Sequence, residues 1–280
     1  MAYIGRTFKY MFGAFWALAL VCLPAAVALG IFTKPMASVS YLVTYAETNV
    51  RGFTDILWLV FNRYATVKVY PLALVFVTLV FCSSLCMSIV EKHFRVGKLM
   101  LRAPLKQINN YFLPVLVTYV LLTLVITLYG FIQSGVIALL HVAISGWGYP
   151  NAFNVVLAAV VSLGLFVLAV FVFCSAMYWT PMMVIYGFSF RDAAASSFRL
   201  LDGKTGGILI GLLTPFLIVA VAGTLLSFAG NVYVRCAVGV VLYLFLIVYV
   251  ISFIMVSMFG LSGMERRDIK SYSGGNYGGV

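Results

Sequence analysis

The chain has 280 residues, of which 64% are hydrophobic and 9% charged. Soluble domains carry about 25% charged residues, so a water-soluble fold is excluded. The net charge of +11 would suggest nucleic acid in a soluble protein; here Lys and Arg sit in short segments beside apolar spans, where anionic lipid and membrane topology account for them, and nucleic acid is not expected as a partner.

Hydrocarbon about 30 Å thick is crossed by ~20 helical residues. Six blocks are long enough: residues 10–31, 71–90, 111–129, 154–178, 208–229 and 238–261. The first follows Arg6 and Lys9, and its Pro24 and Ala26-Val27-Ala28 resemble the cleavage region of a signal peptide. The apolar run continues through Leu29, Ile31 and Phe32, so a retained span is expected.

The connection 32–70 holds the apolar run Ile56–Phe61, too short to cross. It predicts an interfacial or re-entrant helix with Thr54 or Asp55 as its N-cap. Tyr41, Tyr45, Phe53, Trp58, Tyr64 and Tyr70 fit an aromatic belt at the headgroups. Glu47, Arg51, Asp55 and Arg63 are the groups that would contact any ligand on this side; a solvated loop is the simpler reading.

The connection 91–110 reads as a basic amphipathic elbow. Arg95, Lys98, Arg102, Lys106 and Asn109 share one helical face, and Val96, Met100, Leu101, Pro104, Ile108 and Tyr111 the other. Pro104 is expected to break or kink it, because proline lacks an N–H and clashes with the preceding turn. After the third span, Gly130, Gln133, Ser134 and Gly135 interrupt the apolar run. Two readings fit: a broken helix lining a binding site, or an exit loop followed by a short interfacial helix. The short apolar piece after Gly135 favours the second.

Residues 189–205 form the second elbow. On a helix from Phe190 to Asp202, Phe190, Ala193, Ala194, Ser197, Phe198, Leu200 and Leu201 fall on one face, and Arg191, Asp192, Ala195, Ser196, Arg199 and Asp202 on the other. Ser189 with Asp192 makes a capping-box-like start, and Gly203 a left-handed stop. This segment is expected to lie on the membrane, arginines among phosphates. Span, basic elbow and span thus occur twice in one orientation, as a parallel repeat would, although any interfacial connection needs Lys and Arg. Further on, Gly207 with Gly211, like Ser84 with Ser88, makes a small-xxx-small pair, and Pro215 should kink the fifth span.

Thirteen of the 18 Lys and Arg fall on one side of the six blocks, including Lys204 and the tail's Arg266, Arg267 and Lys270, and five on the other: Lys34, Arg51, Arg63, Lys68 and Arg235. By the positive-inside rule both termini are cytoplasmic. The chain therefore divides into one six-span domain, 1–264, and a flexible cytoplasmic tail, 265–280.

Chemistry-bearing constellations are sparse. Glu91 stands at the border of the second block, and no Asp or Glu falls inside any block, which disfavours proton- or ion-coupled transport. His93 and His141 belong to opposite faces, without ligand-like spacing to Cys or carboxylate. Cys82 and Cys86 lie one helical turn apart, but with Cys22, Cys174 and Cys236 they read as small buried apolar residues. No Walker loop, dinucleotide glycine motif, nucleophile elbow or zincin motif occurs. No catalytic residue, metal or cofactor is expected.

The stretch "YWTPMMVIYGFSFRDAAASSFRLLDGKTGGILIGLL" resembles a pattern found in a group of bacterial six-helix membrane proteins, including the membrane domain attached to some glycerophosphoryl diester phosphodiesterases. Its carriers here are Pro181, Gly187, Ala193–Ala195, Ser197 and Leu200–Leu201, and the likeness extends loosely over residues 71–228. The endings "LSGMERRDIK" and "HFRVGKL" are similar to those of membrane proteins from Gram-positive bacteria. The resemblance implies an all-α, six-helix membrane fold; nothing in the chain answers to a phosphodiesterase domain, so that activity does not carry over.

The expectation is an all-α polytopic protein of a bacterial cytoplasmic membrane, N-in and C-in. Its expected role is a non-enzymatic scaffold or accessory subunit, meeting anionic headgroups or a membrane-protein partner through Arg95, Lys98, Arg102, Lys106, Arg191, Arg199 and Lys204. The alternative is a carrier or channel for a small uncharged or amphipathic solute, its path lined by Gly130, Gln133, Ser134, Gly135 and Pro215.

Overall fold

The computed structural model describes residues 2–32, 52–64, 69–97, 104–145, 151–201, 203, 205–227 and 231–262. Outside them lie Tyr41, Tyr45, Glu47 and Arg51 of the 32–70 connection, Lys98, Arg102 and Lys204 of the elbows, and the tail 265–280. All regular structure among the described residues is helical: α1 (Ala2–Phe32), α2 (Phe53–Tyr64), α3 (Val69–Val96), α4 (Pro104–Ser145), α5 (Asn151–Met177), α6 (Trp179–Tyr186), α7 (Phe190–Leu201), α8 (Thr205–Ser227) and α9 (Val232–Ser262). Among the described residues, six stretches are long and apolar enough to cross a membrane: Tyr3–Phe32, Pro71–Val96, Asn110–Ala143, Val156–Tyr186, Thr205–Gly223 and Tyr233–Ser262. This is the plan of a multi-pass membrane protein, in which helices satisfy backbone N–H and C=O groups that hydrocarbon would leave bare.

The core is built on α1, α3 and α9, which pack on one another. The packed ring pairs Tyr10–Phe94 and Phe94–Phe259 join all three, with centroids 4.9 and 5.0 Å apart. They define a basal end, near Ala2, Val96 and Ser262. Glycine permits close approach at two places. A Cβ on Gly30 of α1 would lie 2.5 Å from Val240 Cγ2 and 2.9 Å from the Val240 backbone nitrogen of α9. A Cβ on Gly211 of α8 would lie 2.4 Å from the Phe253 ring, while the Tyr249 hydroxyl donates to the Gly211 carbonyl at 3.1 Å. The Gly207–Gly211 pair thus does what its spacing suggests at one of its two positions.

Outside this core, α4 packs on α3, α8 packs on α9, and α5 joins α4 to α8. Tyr111 of α4 donates to Glu91 of α3 at 2.7 Å, and Tyr119 shares a 2.8 Å hydrogen bond with Ser83. Both pairs are eight residues apart on each helix, so α3 and α4 run antiparallel in one register.

Several expectations are corrected. Of the first elbow, residues 91–96 belong to α3, which stops at Gly97, whose φ is 79°, and residues 104–110 belong to α4; residues 98–103 lie outside the described residues. Pro104 does not kink an elbow but opens α4, where a missing N–H is no loss. The run at Gly130, Gln133, Ser134 and Gly135 is neither a break nor an exit loop, since α4 passes through it as one helix of 42 residues. Ser134 Oγ donates to the Gly130 carbonyl at 2.7 Å, and isolated glycines cost a helix only about 1 kcal/mol. The fourth span ends not at Tyr178 but at Tyr186; a turn at Tyr178 separates α5 from α6, and left-handed Gly187, φ 69°, closes α6. Finally, α2 exists as expected but is initiated two or three residues earlier: Ile56 N donates to the Gly52 carbonyl, so Gly52 caps it rather than Thr54 or Asp55.

Replacing Gly30 by Ala should push α1 off α9 and lower stability by about 1–3 kcal/mol. Gly135→Ala, with nothing within 4 Å of the new Cβ, should leave stability equal or higher. Thermal unfolding of both variants in detergent checks this; equal losses would contradict the close α1–α9 approach.

Candidate functional site

Polar side chains concentrate at the basal end and along the helix contacts that rise from it. Glu91 lies on the last turns of α3, inside the Pro71–Val96 span rather than at its border. Its side chain is 13% exposed, with Arg95 Nε on one carboxylate oxygen at 2.9 Å and the buried Tyr111 hydroxyl on the other. Both oxygens of a largely buried anion are thus occupied, one by the i, i+4 guanidinium expected on a helix and one from the next helix. Beside them, Tyr10 of α1 shares a 3.0 Å hydrogen bond with His93 Nδ1 and stacks on Phe94.

The same device recurs toward the middle of the bundle. Thr180 of α6 donates to Thr118 of α4 at 2.9 Å, and Tyr178 shares a 2.6 Å hydrogen bond with Ser257 of α9. Each ties two helices through otherwise apolar surroundings, where a hydroxyl without an acceptor is costly. Ser88 and Ser252 have buried hydroxyls with no partner. Cys22, Cys82, Cys86 and Cys174 are buried, as small apolar residues would be.

The helix α7 forms where its start and stop signals lie in the sequence. Asp192 N donates to Ser189 Oγ at 3.3 Å, Ser189 Oγ donates to the Asp192 carboxylate at 2.5 Å, and Gly203 has φ 69°. The expected apolar face is divided, however. Ala193, Ser197 and Leu201 are buried, whereas Phe190 and Phe198 stay exposed. α7 packs on α6 and α5: Trp179 Nε1 donates to Ser197 Oγ at 3.0 Å, and the Trp179 and Phe190 rings meet edge to face at 5.0 Å. It is therefore docked on protein along one edge, with Arg191 and Arg199 exposed on another.

Of the expected basic contact residues, Arg95 is engaged by Glu91 although half its side chain is exposed. Lys106 falls on the first turn of α4. Among the described residues, the two connections differ: residues 91–96 and 104–110 belong to the ends of α3 and α4, whereas α7 is a docked helix. The expected solute-path residues are not gathered: Gln133 and Ser134 are buried in α4, while Pro215 is buried in α8, which packs on α9, α5 and α1. The tyrosine and threonine bridges escaped the sequence reading. Their signal was the recurrence of hydroxyls at helical spacing inside apolar blocks, as at Tyr111, Thr118 and Tyr119.

Compared with models of protein families, with curated proteins and with solved structures, the chain matches none at the level that would show kinship.

Tyr111→Phe should cost about 1 kcal/mol, since it leaves one oxygen of a buried carboxylate unmet. Combined with Glu91→Gln it should show coupling in a double-mutant cycle of unfolding; strict additivity would mean that the hydroxyl and carboxylate do not interact.

Proposed function

We propose that the chain is a non-enzymatic scaffold or accessory subunit of a bacterial cytoplasmic membrane, with both termini inside, and that its basal end meets anionic headgroups. The observation that carries this reading is the build of α7. A helix of 12 residues, too short to cross, is capped at both ends and anchored through Trp179 and Ser197. Arg191 and Arg199 remain exposed eight residues apart, about 12 Å along the axis. Exposed Phe190 and Phe198 suit the acyl boundary, as in interfacial helices. The positive-inside bias of the sequence puts this end in the cytoplasm, and the resemblance to six-helix bacterial membrane domains agrees with it.

A carrier would be favoured by a helix broken at membrane depth. The unbroken α4 withdraws that support at Gly130–Gly135, and Tyr178, at the turn within the fourth span, is wholly buried with its hydroxyl bonded to Ser257, so the scaffold reading is preferred. The buried Glu91 does not restore it, because both carboxylate oxygens are already engaged within the protein.

Each basic residue near an anionic leaflet is worth about 1 kcal/mol, so Arg191→Gln with Arg199→Gln should weaken retention of phosphatidylglycerol roughly 30-fold. Mass spectrometry of lipid co-purifying with the wild type and the double variant, both shown to insert, measures it. Unchanged retention would sink the proposal.

A further inference from the structure

The α3–α4 register supplies a ruler. With Glu91 opposite Tyr111 and Ser83 opposite Tyr119, the first residue of α3, Val69, stands level with Gln133 of α4. α4 continues to Ser145, about 18 Å further at 1.5 Å per residue. α5 descends beside it in the same way, for Ala158 clusters with Ile137 and Ala138 near the tip, and Thr180, beyond the turn, meets Thr118 below. The other core helices do not reach so far. Tyr10 of α1 is level with His93, and α1 ends at Phe32, 22 residues or about 33 Å above that point. That height matches a hydrocarbon core of about 30 Å. The α4–α5 hairpin overtops α1 and α3 by more than half that thickness, and α9, which rises 27 residues or about 40 Å from Phe259 to Val232, by about half.

Apart from the half-buried His141, the exposed surface of the overhang is apolar. Leu139, Val142, Phe153, Val156 and Val160 are all exposed, Leu139 at 60% and Val156 at 61%. They prolong the exposed aliphatic surface formed lower down by Leu113, Val117, Leu124 and Leu128 on α4 and by Leu163 and Leu168 on α5, with no change in character at the level where α1 and α3 end. From Gln107 to Phe190 the sequence contains no Asp, Glu, Lys or Arg. A hairpin standing in water would have its exposed faces marked by charge. The covered side does carry such a mark: α2 buries Ile56 and Val60 against Ile137, Ala138 and Ala158, and its Asp55 is exposed.

We propose that the uncovered face of the α4–α5 hairpin is a lipid surface, taller than the belt around α1 and α3. The exposed apolar belt is then asymmetric: about 30 Å high on α1 from Phe12 to Phe32, about 36 Å on α3 from Leu72 to Val96, and about 45 Å on α4 from Phe112 to Val142. A belt taller than the surrounding hydrocarbon is met by helix tilt or by local thickening of the bilayer. Either response keeps Leu139 and Val156 among acyl chains, and the second selects thick-membrane lipids at this side of the protein.

The test uses the full chain with Cys236→Ala, the four remaining described cysteines being buried. Leu139→Cys, Val156→Cys and Leu124→Cys are spin-labelled singly in vesicles of dioleoyl and of dierucoyl phosphatidylcholine. Collision with oxygen, which partitions into lipid, is compared with collision with a water-soluble nickel chelate. Labels at 139 and 156 should favour oxygen several-fold, as the mid-span control at 124 does. Nickel access at 139 and 156 with oxygen access at 124 would place the hairpin in water and overturn the proposal while leaving the membrane reading intact. Shielding of 139 and 156 from both probes would show a protein cover, such as a second copy, and would overturn it equally.

Discussion

Two tyrosine hydroxyls hold the α3–α4 pair in a single register, Tyr111 on Glu91 and Tyr119 on Ser83. The rest of the architecture depends on that alignment. It fixes how far α4 rises above α3, where α2 finds a wall to rest on, and which residues form the basal rim. Apolar surfaces alone would not do this inside hydrocarbon, because lipid tails are as apolar as leucine and exert no hydrophobic drive between helices. Packing shape and interhelical hydrogen bonds are what remain, and the chain uses both. Small residues permit close helix approach at Gly30 and Gly211, and hydroxyls join α4 to α6 and the α5–α6 turn to α9.

The two ends of the bundle are built for different surroundings. At the basal end, aromatic rings, an ion pair and capped helix termini gather within a turn or two of the chain's charged connections. Burial is dense there: nearly every residue of α9 from Leu246 to Phe259 is buried. Toward the other end, α5 and α8 expose long aliphatic faces, and Phe173 with Phe216 forms a ring contact between them.

Much of the fold could be read directly. Six apolar blocks, the α7 helix with its Ser189–Asp192 start and Gly203 stop, and a short helix at Ile56–Phe61 were all legible, because capping, helical period and hydropathy are local properties of a few consecutive residues. The errors share one cause. Ending the second block before Glu91, splitting α4 at Gly130–Gly135 and ending the fourth block at Tyr178 each treated a polar or small residue as a boundary. In the folded chain those residues have partners: Glu91 has Tyr111 and Arg95, Ser134 has the Gly130 carbonyl, and Tyr178 has Ser257.

By itself, then, the sequence determined the class of protein, the number of apolar crossings, and the sites where helices start and stop by capping, since these follow from the free energy of placing each short segment in hydrocarbon or at its edge. Only the tertiary structure decided register, overhang and which face of α7 is covered. Those depend on pairings between residues 20 to 80 positions apart, such as Glu91 with Tyr111 or Tyr178 with Ser257. Hydroxyl groups are numerous along the spans, and nothing within one segment tells a bridging tyrosine from one that faces lipid.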